Sequence, residues 1–332
     1  MTDSLMLSFE RTVPCSLAHR RAIGEVFVTD TAEAGPDEYV AAVQIPRAHL
    51  LWFDRCAEYH DPLSMVEAIR QAVIVLGHRY LGVPAGTPVS LQSIEVTVED
   101  ISAFRDARNV PLEGIARIRL TPPPSSHLCV GESSFDASLT IEGSLALTIR
   151  GRGAHFPADV YRQLRIHQQA TRPADNAGDH ADVERAHPAT VGRTDRRNVV
   201  VGAEPVRCGP DGTALIPLVV DQRHPAFFDH PYDHVPGPLL LEGCRQAAIL
   251  AAVDAEVLDS PVVALTSCAM TFDGFAELGP PVGFSAAVFA DPDSGGATVE
   301  LAAYQFGQRI GLCSLELSPH PQVSEHDEQE SA

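Results

Sequence analysis

One six-residue phrase occurs twice in this 332-residue chain and constrains its fold more than any other feature. Glu67–Ala72 reads EAIRQA and Glu242–Ala247 reads EGCRQA, so the pattern E-x-x-R-Q-A returns half a chain length later. Two shorter matches keep nearly this spacing: Arg20-Arg21 returns as Arg196-Arg197, and Leu91–Ser93 returns in related form as Leu265–Ser267. A spacing shared by three landmarks indicates a duplicated domain.

Composition is that of an ordinary globular protein with room for two domains. Hydrophobic residues make up 45% of the chain and the mean hydropathy is −0.01, which is enough for a sizeable core. The sequence contains neither a continuous apolar run long enough to span a membrane nor a recognisable secretory signal. The seven scattered cysteines contain no C-x-x-C pattern and are typical of reduced thiols, so we expect a cytoplasmic protein.

The formal net charge of −20 argues against non-specific binding to nucleic acid or to anionic membranes, because both need basic surface. A phosphorylated substrate would therefore require a local cluster of arginines. Three clusters are candidates, although each could equally be solvated surface: Arg20-Arg21, Arg193 with Arg196-Arg197, and Arg162 with Arg165.

Each half of the chain shows the same order of predicted elements. Strands are predicted at 22–30, 39–45, 91–98, 113–120, 135–142 and 144–150 in the first half, and at 197–203, 213–220, 262–272, 282–290, 297–306 and 309–317 in the second. One long apolar helix is predicted in each half, at 63–81 and 239–254. Asp61 and Pro62 are typical of a helix start, as an N-cap and a first helical residue.

These patterns predict an α+β fold in which two antiparallel sheets, each wrapped around a long central helix, pack as a pseudo-dimer. The expected boundaries are an N-terminal domain at 1–155, a mobile polar linker at 156–190, a C-terminal domain at 191–319, and a disordered acidic tail at 320–332.

The repeated phrase also carries the most promising chemistry. In each helix the glutamate and arginine are three residues apart and the glutamine follows the glutamate by four, so all three side chains share one face. Such an ion pair could simply hold its helix in place. Two pairs inside otherwise apolar helices favour a functional role, since burying charge is costly.

Longer motifs surround both copies and make the chain resemble a known family. The entry to the second helix, VPGPLLLE, is similar to that of hotdog-fold acyl-thioester enzymes. The wider set resembles the AfsA family, the tandem-hotdog γ-butyrolactone autoregulator synthases of actinomycetes: His19–Asp30, His60–Pro62 with its E-x-x-R-Q, Val191–Arg193, His224–Pro231 and Asp233–Gly237.

The resemblance implies a double hotdog fold and a β-ketoacyltransferase activity. Members of this family are described as moving a β-ketoacyl group from an acyl carrier protein to a hydroxyl of dihydroxyacetone phosphate, in the biosynthesis of a γ-butyrolactone, butenolide or furan signal. The family residues that match the two E-x-x-R motifs carry over as the catalytic candidates Glu67, Arg70, Glu242 and Arg245.

The chemistry of such a transfer is compatible with these residue types. A glutamate can take the proton of the acceptor alcohol, backbone N–H groups at a helix N-terminus can stabilise an oxyanion, and an arginine can hold a phosphate or a carboxylate. The residues expected to contact substrate are Gln71, Gln246, His60, Asp61, Asp233, His234, Gly237, Arg20, Arg21, Arg196 and Arg197. The implied partners are an acyl carrier protein and dihydroxyacetone phosphate, with no cofactor, no nucleic acid and no membrane.

Other interpretations remain open from the sequence. A hotdog thioesterase or dehydratase would act on the thioester without an acceptor, and a non-catalytic acyl-binding protein would leave it unchanged. A dehydratase-like catalytic histidine would lie near Phe228, and His230 is two residues from that position. The interrupted spacing of His224, His230 and His234 argues against a metal site. The chain could act as a monomeric pseudo-dimer or as a homodimer, and the unequal entries to its two helices favour divided labour between the halves.

Overall fold

The computed structural model describes residues 7–106, 109–121, 131–170, 172 and 183–321. In these residues three α-helices are present: α1 at Pro62–Tyr80, α2 at Ala158–Ala170 and α3 at Gly237–Asp254. The strands are β1 Val28–Gly35, β2 Glu38–Ile45, β3 Val89–Val98, β4 Leu112–Thr121, β5 Gly131–Ile141, β6 Ser144–His155, β7 Val206–Arg207, β8 Ala214–Pro217, β9 Val263–Phe272, β10 Val282–Asp291, β11 Gly296–Gln305 and β12 Gln308–Pro319.

The two long helices α1 and α3 form where the sequence predicts them and are buried along most of their length. Asp61 caps α1 by accepting a hydrogen bond from the Leu63 N–H, and Pro62 occupies the first helical turn, where its missing N–H costs nothing. In α3, Gly243 allows a close approach of the sheet, because a Cβ there would lie 2.5 Å from Leu218 and 2.9 Å from Phe284. Each helix packs against strands of its own half.

All strand pairs are antiparallel and lie in one twelve-stranded sheet, in the order β1-β2-β4-β5-β6-β3-β9-β12-β11-β10-β8-β7. The first six and the last six strands belong to the two halves of the chain, and β3 joins β9 at the centre. Glu95 pairs there with Ala269, its own counterpart when Leu91–Ser93 is aligned with Leu265–Ser267. The repeat therefore has a pseudo-two-fold axis through this pair, and the two predicted sheets join edge to edge.

Two predicted strands, at 22–30 and 197–203, are shortened or absent for one shared reason, and a third, at 213–220, is limited to β8. Residues 22–27 contain a 3-10 helix at Ile23–Glu25, and another, at Arg196–Asn198, overlaps the start of the predicted strand at 197–203. In both segments a backbone N–H is used by the glutamine of the repeat: Phe27 donates to Gln71 and Val200 donates to Gln246. Those groups are not available to a strand ladder, so β-propensity is overridden by the helix beside it.

The segment predicted as a linker, 156–190, contains helix α2, which the sequence analysis missed. Residues 171 and 173–182 of that segment lie outside the described residues, as does the predicted acidic tail from residue 322 onward. Among the helices in the described part of the chain, none is long and apolar enough to cross a bilayer.

Candidate active site

The carboxylate of Glu67 is buried between two guanidinium groups, those of Arg70 and Arg20. We call this cluster of three side chains the first ring. Arg70 donates from Nε to Oε2 at 2.7 Å and from Nη2 to Oε1 at 2.8 Å, while Arg20 donates from Nη2 to the same Oε1. Burial alone would raise the pKa of Glu67, but the guanidiniums of Arg70 and Arg20 hold it well below its usual range. Glu67 is therefore a permanently ionised anchor for two arginines.

The second copy of the repeated phrase forms an equivalent cluster of Glu242 with Arg245 and Arg193, which we call the second ring. Arg245 donates to Oε2 at 2.9 Å and to Oε1 at 2.6 Å, and Arg193 donates to Oε1 at 2.9 Å. Burial opposes ionisation here too, yet Arg193 and Arg245 lower the pKa of Glu242 to about 2. Both repeats thus place one carboxylate between two guanidiniums.

The second arginine of each ring comes from a loop rather than from the helix. Arg20 in the first ring corresponds to Arg193 in the second, at nearly the spacing of the repeated phrase. This differs from the pairing of Arg20-Arg21 with Arg196-Arg197 that the sequence analysis used. Arg196 and Arg197 are exposed, and Arg197 pairs with Asp195 at 2.6 Å, so neither reaches Glu242 or a cavity wall.

The glutamines of the repeat lie behind these rings. Gln71 donates to Glu67 and to the carbonyl of Glu25 at 2.9 Å, and it accepts the N–H of Phe27 at 3.0 Å. Gln246 makes the corresponding bonds to Glu242, Asn198 and Val200. Both amides are fully buried and fully used. Their placement favours a structural role over the predicted contact with substrate.

A cavity of about 370 Å³ opens beside the first ring, and residues of both halves line it. We call it the large cavity. Arg20, Arg70, His19, His230 and Tyr232 form its polar end. Its apolar wall includes Val73, Ile74, Leu81, Val83, Leu91 and Phe135. A volume of this size suits a small substrate, and the side chain of Arg70 is 24% exposed beside it.

The wall opposite α1 comes from the second half. The loop before α3 supplies His230, Tyr232 and His234, and the first turn of α3 supplies Gly237 and Pro238. The N–H of Gly237 lies at the start of a helix, where no preceding turn provides an acceptor. Three of the predicted substrate contacts, Arg20, His234 and Gly237, therefore line the large cavity.

The corresponding space beside the second ring is much smaller. This small cavity measures about 50 Å³ and is lined by His60, Asp61, Arg193 and Arg245 among others. Asp61 also accepts a hydrogen bond from Arg193 at 3.2 Å, and the side chain of Arg245 is only 10% exposed. Burial, together with nearby Arg55, lowers the pKa of His60 to about 4. The predicted residues His60, Asp61 and Arg245 meet here, in a space too small for an acylated substrate.

Two further predicted residues, Asp233 and Arg21, lie outside both cavities. They make hydrogen bonds that involve the loop that forms part of the wall of the large cavity. Asp233 accepts from Arg165 of α2 at 3.0 Å, and Arg165 also binds Glu277 at 2.8 and 2.9 Å. Helix α2 is thereby fastened to the loop that carries His234. Arg21 is exposed, and its backbone N–H rather than its side chain donates to Asp229 at 2.8 Å.

Sequence reasoning gave too little weight to two histidines of the large cavity, each of which has a close polar partner. His230 lies 2.6 Å from the carboxylate of Asp229, and His19 lies 2.8 Å from His78. Burial and the charges of His78, Arg70 and His230 lower the pKa of His19 to about 4, so these groups are close neighbours.

A signal for the first of these pairs was present in the sequence. His49, Phe53 and Asp54 return as His224, Phe228 and Asp229, each with the same spacing as the E-x-x-R-Q-A phrase. The repeated H-x-x-x-F-D extends the duplication to the loop before each helix. The residue that follows differs between the halves, being Arg55 in the first and His230 in the second.

A larger open depression of about 640 Å³ lies on the strands of the first half. Its charged residues neutralise one another, as in the pairs Arg119–Glu38 at 2.5 Å and Arg150–Asp136 at 3.1 Å, and these side chains are mostly exposed. It offers neither an enclosed apolar wall nor a converging polar end. Within the described residues no cluster of histidine, cysteine and acidic side chains could hold a metal ion.

Comparison with known proteins identifies the family to which the chain belongs. The model of the A-factor biosynthesis hotdog domain, AfsA, matches residues 1–122 and 174–317. The chain belongs to the AfsA family. The predicted α+β double hotdog fold and the predicted family are thus both confirmed.

Relatives with established names align with most of the chain. The chain is 30% identical over 311 residues to a protein of Streptomyces virginiae named 2-oxo-3-(phosphooxy)propyl 3-oxoalkanoate synthase, covering 92% of this chain and 97% of the relative. A protein of the same name from Streptomyces coelicolor is 28% identical over 316 residues, covering 93% of each. A solved structure of a putative thioesterase from Novosphingobium aromaticivorans aligns with 87% of this chain and 98% of its own, at 10% identity and a TM-score of 0.49.

Proposed function

We propose that this AfsA-family chain is an acyltransferase that moves a β-ketoacyl group from a thioester to a hydroxyl of dihydroxyacetone phosphate. The relatives' name describes the product of this reaction, an ester of a 3-oxoalkanoate with a phosphorylated three-carbon alcohol. The observation that carries the proposal is the large cavity, which has a cationic end at Arg70 and an apolar wall. We propose an acyl carrier protein as the thioester donor and a signalling lactone or related compound as the end product.

The acceptor phosphate is assigned to Arg70. Its guanidinium is the partly exposed one of the first ring and lines the large cavity, whereas Arg20 is buried by bonds to Glu67, Asp229 and Tyr232. Because Glu67 holds Arg70 with two hydrogen bonds, the cation is oriented before substrate arrives. Such preorganisation lowers the entropic cost of binding a phosphate.

The acyl chain is assigned to the apolar wall formed by α1 and β3. The thioester carbonyl would then lie near the start of α3, where the N–H of Gly237 can donate to the developing oxyanion. Holding the alcohol and the thioester together supplies much of the rate acceleration without a covalent enzyme intermediate.

Glu67 does not fit the general-base role that the sequence suggested for it. Both of its oxygens accept hydrogen bonds from guanidinium groups, and its pKa is far below the range in which a carboxylate accepts a proton at neutral pH. We assign Glu67 the task of holding Arg70 and Arg20, and Glu242 the equivalent structural task in the second half.

The divided labour expected from the sequence can then be assigned to particular halves of the chain. The working site is the one beside α1, completed by the loop and helix start of the second half, and the site beside α3 is structural. The difference in cavity volume, about 370 against about 50 Å³, supports this assignment.

The test is to incubate the full chain with a β-ketoacyl thioester, with and without dihydroxyacetone phosphate, and to follow products by mass spectrometry. The proposal predicts a phosphorylated ester, or the butenolide derived from it, only when the acceptor is present. Free acid in both reactions would identify a thioesterase, loss of water from the acyl group would identify a dehydratase, and unchanged thioester would identify a binding protein.

A further inference from the structure

The histidine that follows the repeated F-D marks a difference in chemistry between the two halves. In the second half the residues are Asp229-His230, and His230 lines the large cavity. In the first half they are Asp54-Arg55, beside the small cavity. The duplicated carboxylate is therefore followed by a proton-transfer group at one site only.

Asp229 and His230 are arranged as a dyad. The side chain of Asp229 is 1% exposed and that of His230 is 25% exposed, so the imidazole reaches the cavity and the carboxylate lies behind it. The charge of Asp229 is supported by the Arg21 N–H at 2.8 Å and by Arg20 at 3.4 Å. Burial raises the pKa of Asp229, but these donors and His230 bring it below its usual value, so it is ionised.

This contact determines which nitrogen of His230 carries the proton. An ionised carboxylate only accepts hydrogen bonds, so the contact at 2.6 Å requires a proton on Nδ1 of His230. In the neutral ring Nε2 is then the unprotonated nitrogen and can accept a proton. Tyr232 packs on the ring with centroids 4.2 Å apart and fixes its orientation.

The equivalent groups of the first half cannot act in this way. Asp54 accepts the backbone N–H of Thr194 at 2.8 Å, the Thr194 hydroxyl, and the amide of Asn198 at 2.8 Å. Arg55 pairs with Asp106, and a guanidinium does not release its proton at neutral pH. At equivalent positions, the first half thus has an arginine beside a carboxylate that is occupied by hydrogen-bond donors, and the second half has a base beside its carboxylate.

We propose that His230, oriented by Asp229, is the general base and general acid of the transfer. This inference rests on the proposed function and assigns to His230 the general-base role that Glu67 does not fit. Nε2 takes the proton of the acceptor hydroxyl as its oxygen bonds to the thioester carbon. The C–S bond then breaks, and the proton passes from Nε2 to the departing thiolate, which leaves the ester, the free thiol and a neutral imidazole. The Asp229 carboxylate stabilises the imidazolium between these steps.

His230 is better suited to this role than the other histidine pair of the cavity. Nε2 of His19 is engaged by His78, whose Nδ1 contacts the Val83 carbonyl at 2.8 Å. The pKa of His19 is about 4, lowered by burial and by positive neighbours, so its imidazolium would be unstable. His230 instead has a carboxylate directly behind it.

The test compares His230→Ala with Arg55→Ala, the matched position of the other half. We expect His230→Ala to lower kcat by about 10²- to 10⁴-fold with little change in KM, and added imidazole to restore part of the rate. Arg55→Ala should keep the wild-type rate, and Asp229→Asn should lower kcat while His230 is retained. A folded His230→Ala protein with the wild-type rate, or a loss that imidazole does not reverse, overturns the proposal.

A second measurement on the full chain needs no substrate. Nitrogen-15 NMR of the histidine side chains should show His230 protonated at Nδ1 and not at Nε2, and the Asp229→Asn substitution should change this signal. Protonation at Nε2 overturns the proposed base whatever the reaction is. If the wild-type protein forms ester and His230→Ala is unaffected, only this inference fails. If the wild-type protein forms no ester, the proposed function fails, and the tautomer still decides the arrangement of the dyad.

Discussion

Identical side chains in the two repeats have different surroundings, and those surroundings support the proposal that Arg70 binds substrate and Arg245 is structural. Arg70 and Arg245 make equivalent bonds to Glu67 and Glu242. Arg70 nevertheless faces about 370 Å³ of space and Arg245 about 50 Å³. Because the pairs are chemically alike, substitutions at the two positions are natural controls for each other.

Substitution of Arg70 by alanine should raise KM for dihydroxyacetone phosphate by about 10- to 100-fold, since a charge-assisted hydrogen bond contributes about 1.5–3 kcal/mol. Both this substitution and Arg245→Ala should lower the melting temperature, because each leaves part of a buried carboxylate unpaired at a cost of about 3–5 kcal/mol, but only the substitution of Arg70 should change KM. Steady-state kinetics and thermal unfolding measure the two effects. An equal change of KM in both variants would contradict the assignment of the working site to the first half.

At the scale of elements, α2 links the segment between the halves to the wall of the large cavity. Arg165 is buried, binds Asp233 and Glu277, and lies over the ring of Phe275 at 4.8 Å. Gln168, one turn later, lines the large cavity. The helix therefore holds in place the loop that carries His230 and His234.

Replacing Arg165 by methionine should lower both the melting temperature and kcat, because Glu277 loses its main partner and the loop at Asp233 loses its tie to α2. We expect a loss of about 3–5 kcal/mol in the free energy of unfolding, as for other broken buried ion pairs. Arg162→Met, one turn earlier on the exposed side of α2, is the control and should change neither quantity. Denaturant unfolding and turnover of both variants measure this, and equal behaviour would show that α2 does not support the site.

At the scale of the whole molecule, several histidines are buried or half-buried in the neutral form. Burial, with nearby charge from His78, Arg55 and Arg185 respectively, lowers the pKa values of His19, His60 and His224 to about 4. An unfolded chain binds protons at these positions near pH 6.5. Between about pH 6.5 and 4 the unfolded state thus holds more protons than the folded state, so stability is lost as the pH falls through this window.

The melting temperature should therefore drop steadily between pH 7 and pH 5, by an amount that corresponds to up to about 1.4 kcal/mol per pH unit for each proton of difference. The buried glutamates contribute mainly below pH 5, since Glu242 has a pKa of about 2 and the reference value of a free glutamate is 4.5. A His224→Asn variant should show a shallower dependence. A melting temperature that is constant from pH 7 to pH 5 would refute this account.

Local patterns were enough to predict much of the architecture. Helices α1 and α3 and most of the long strands lie where apolar periodicity and capping residues predict them. The duplicated phrase predicts a pseudo-dimer, and β3 paired with β9 shows how its halves join. These features depend on patterns of residues along the chain, which can be read directly from a sequence.

Other features depend on contacts between distant residues. The partnership of Arg193 with Glu242, the fastening of α2 by Glu277, and the place of His230 beside Asp229 in the large cavity each require loops whose conformation local propensity does not specify. The sequence by itself determined that two like sites exist, because a duplication is written in residue order. Only the tertiary structure decided which of them has room for a substrate, because the space beside a side chain is created by the elements that pack against it.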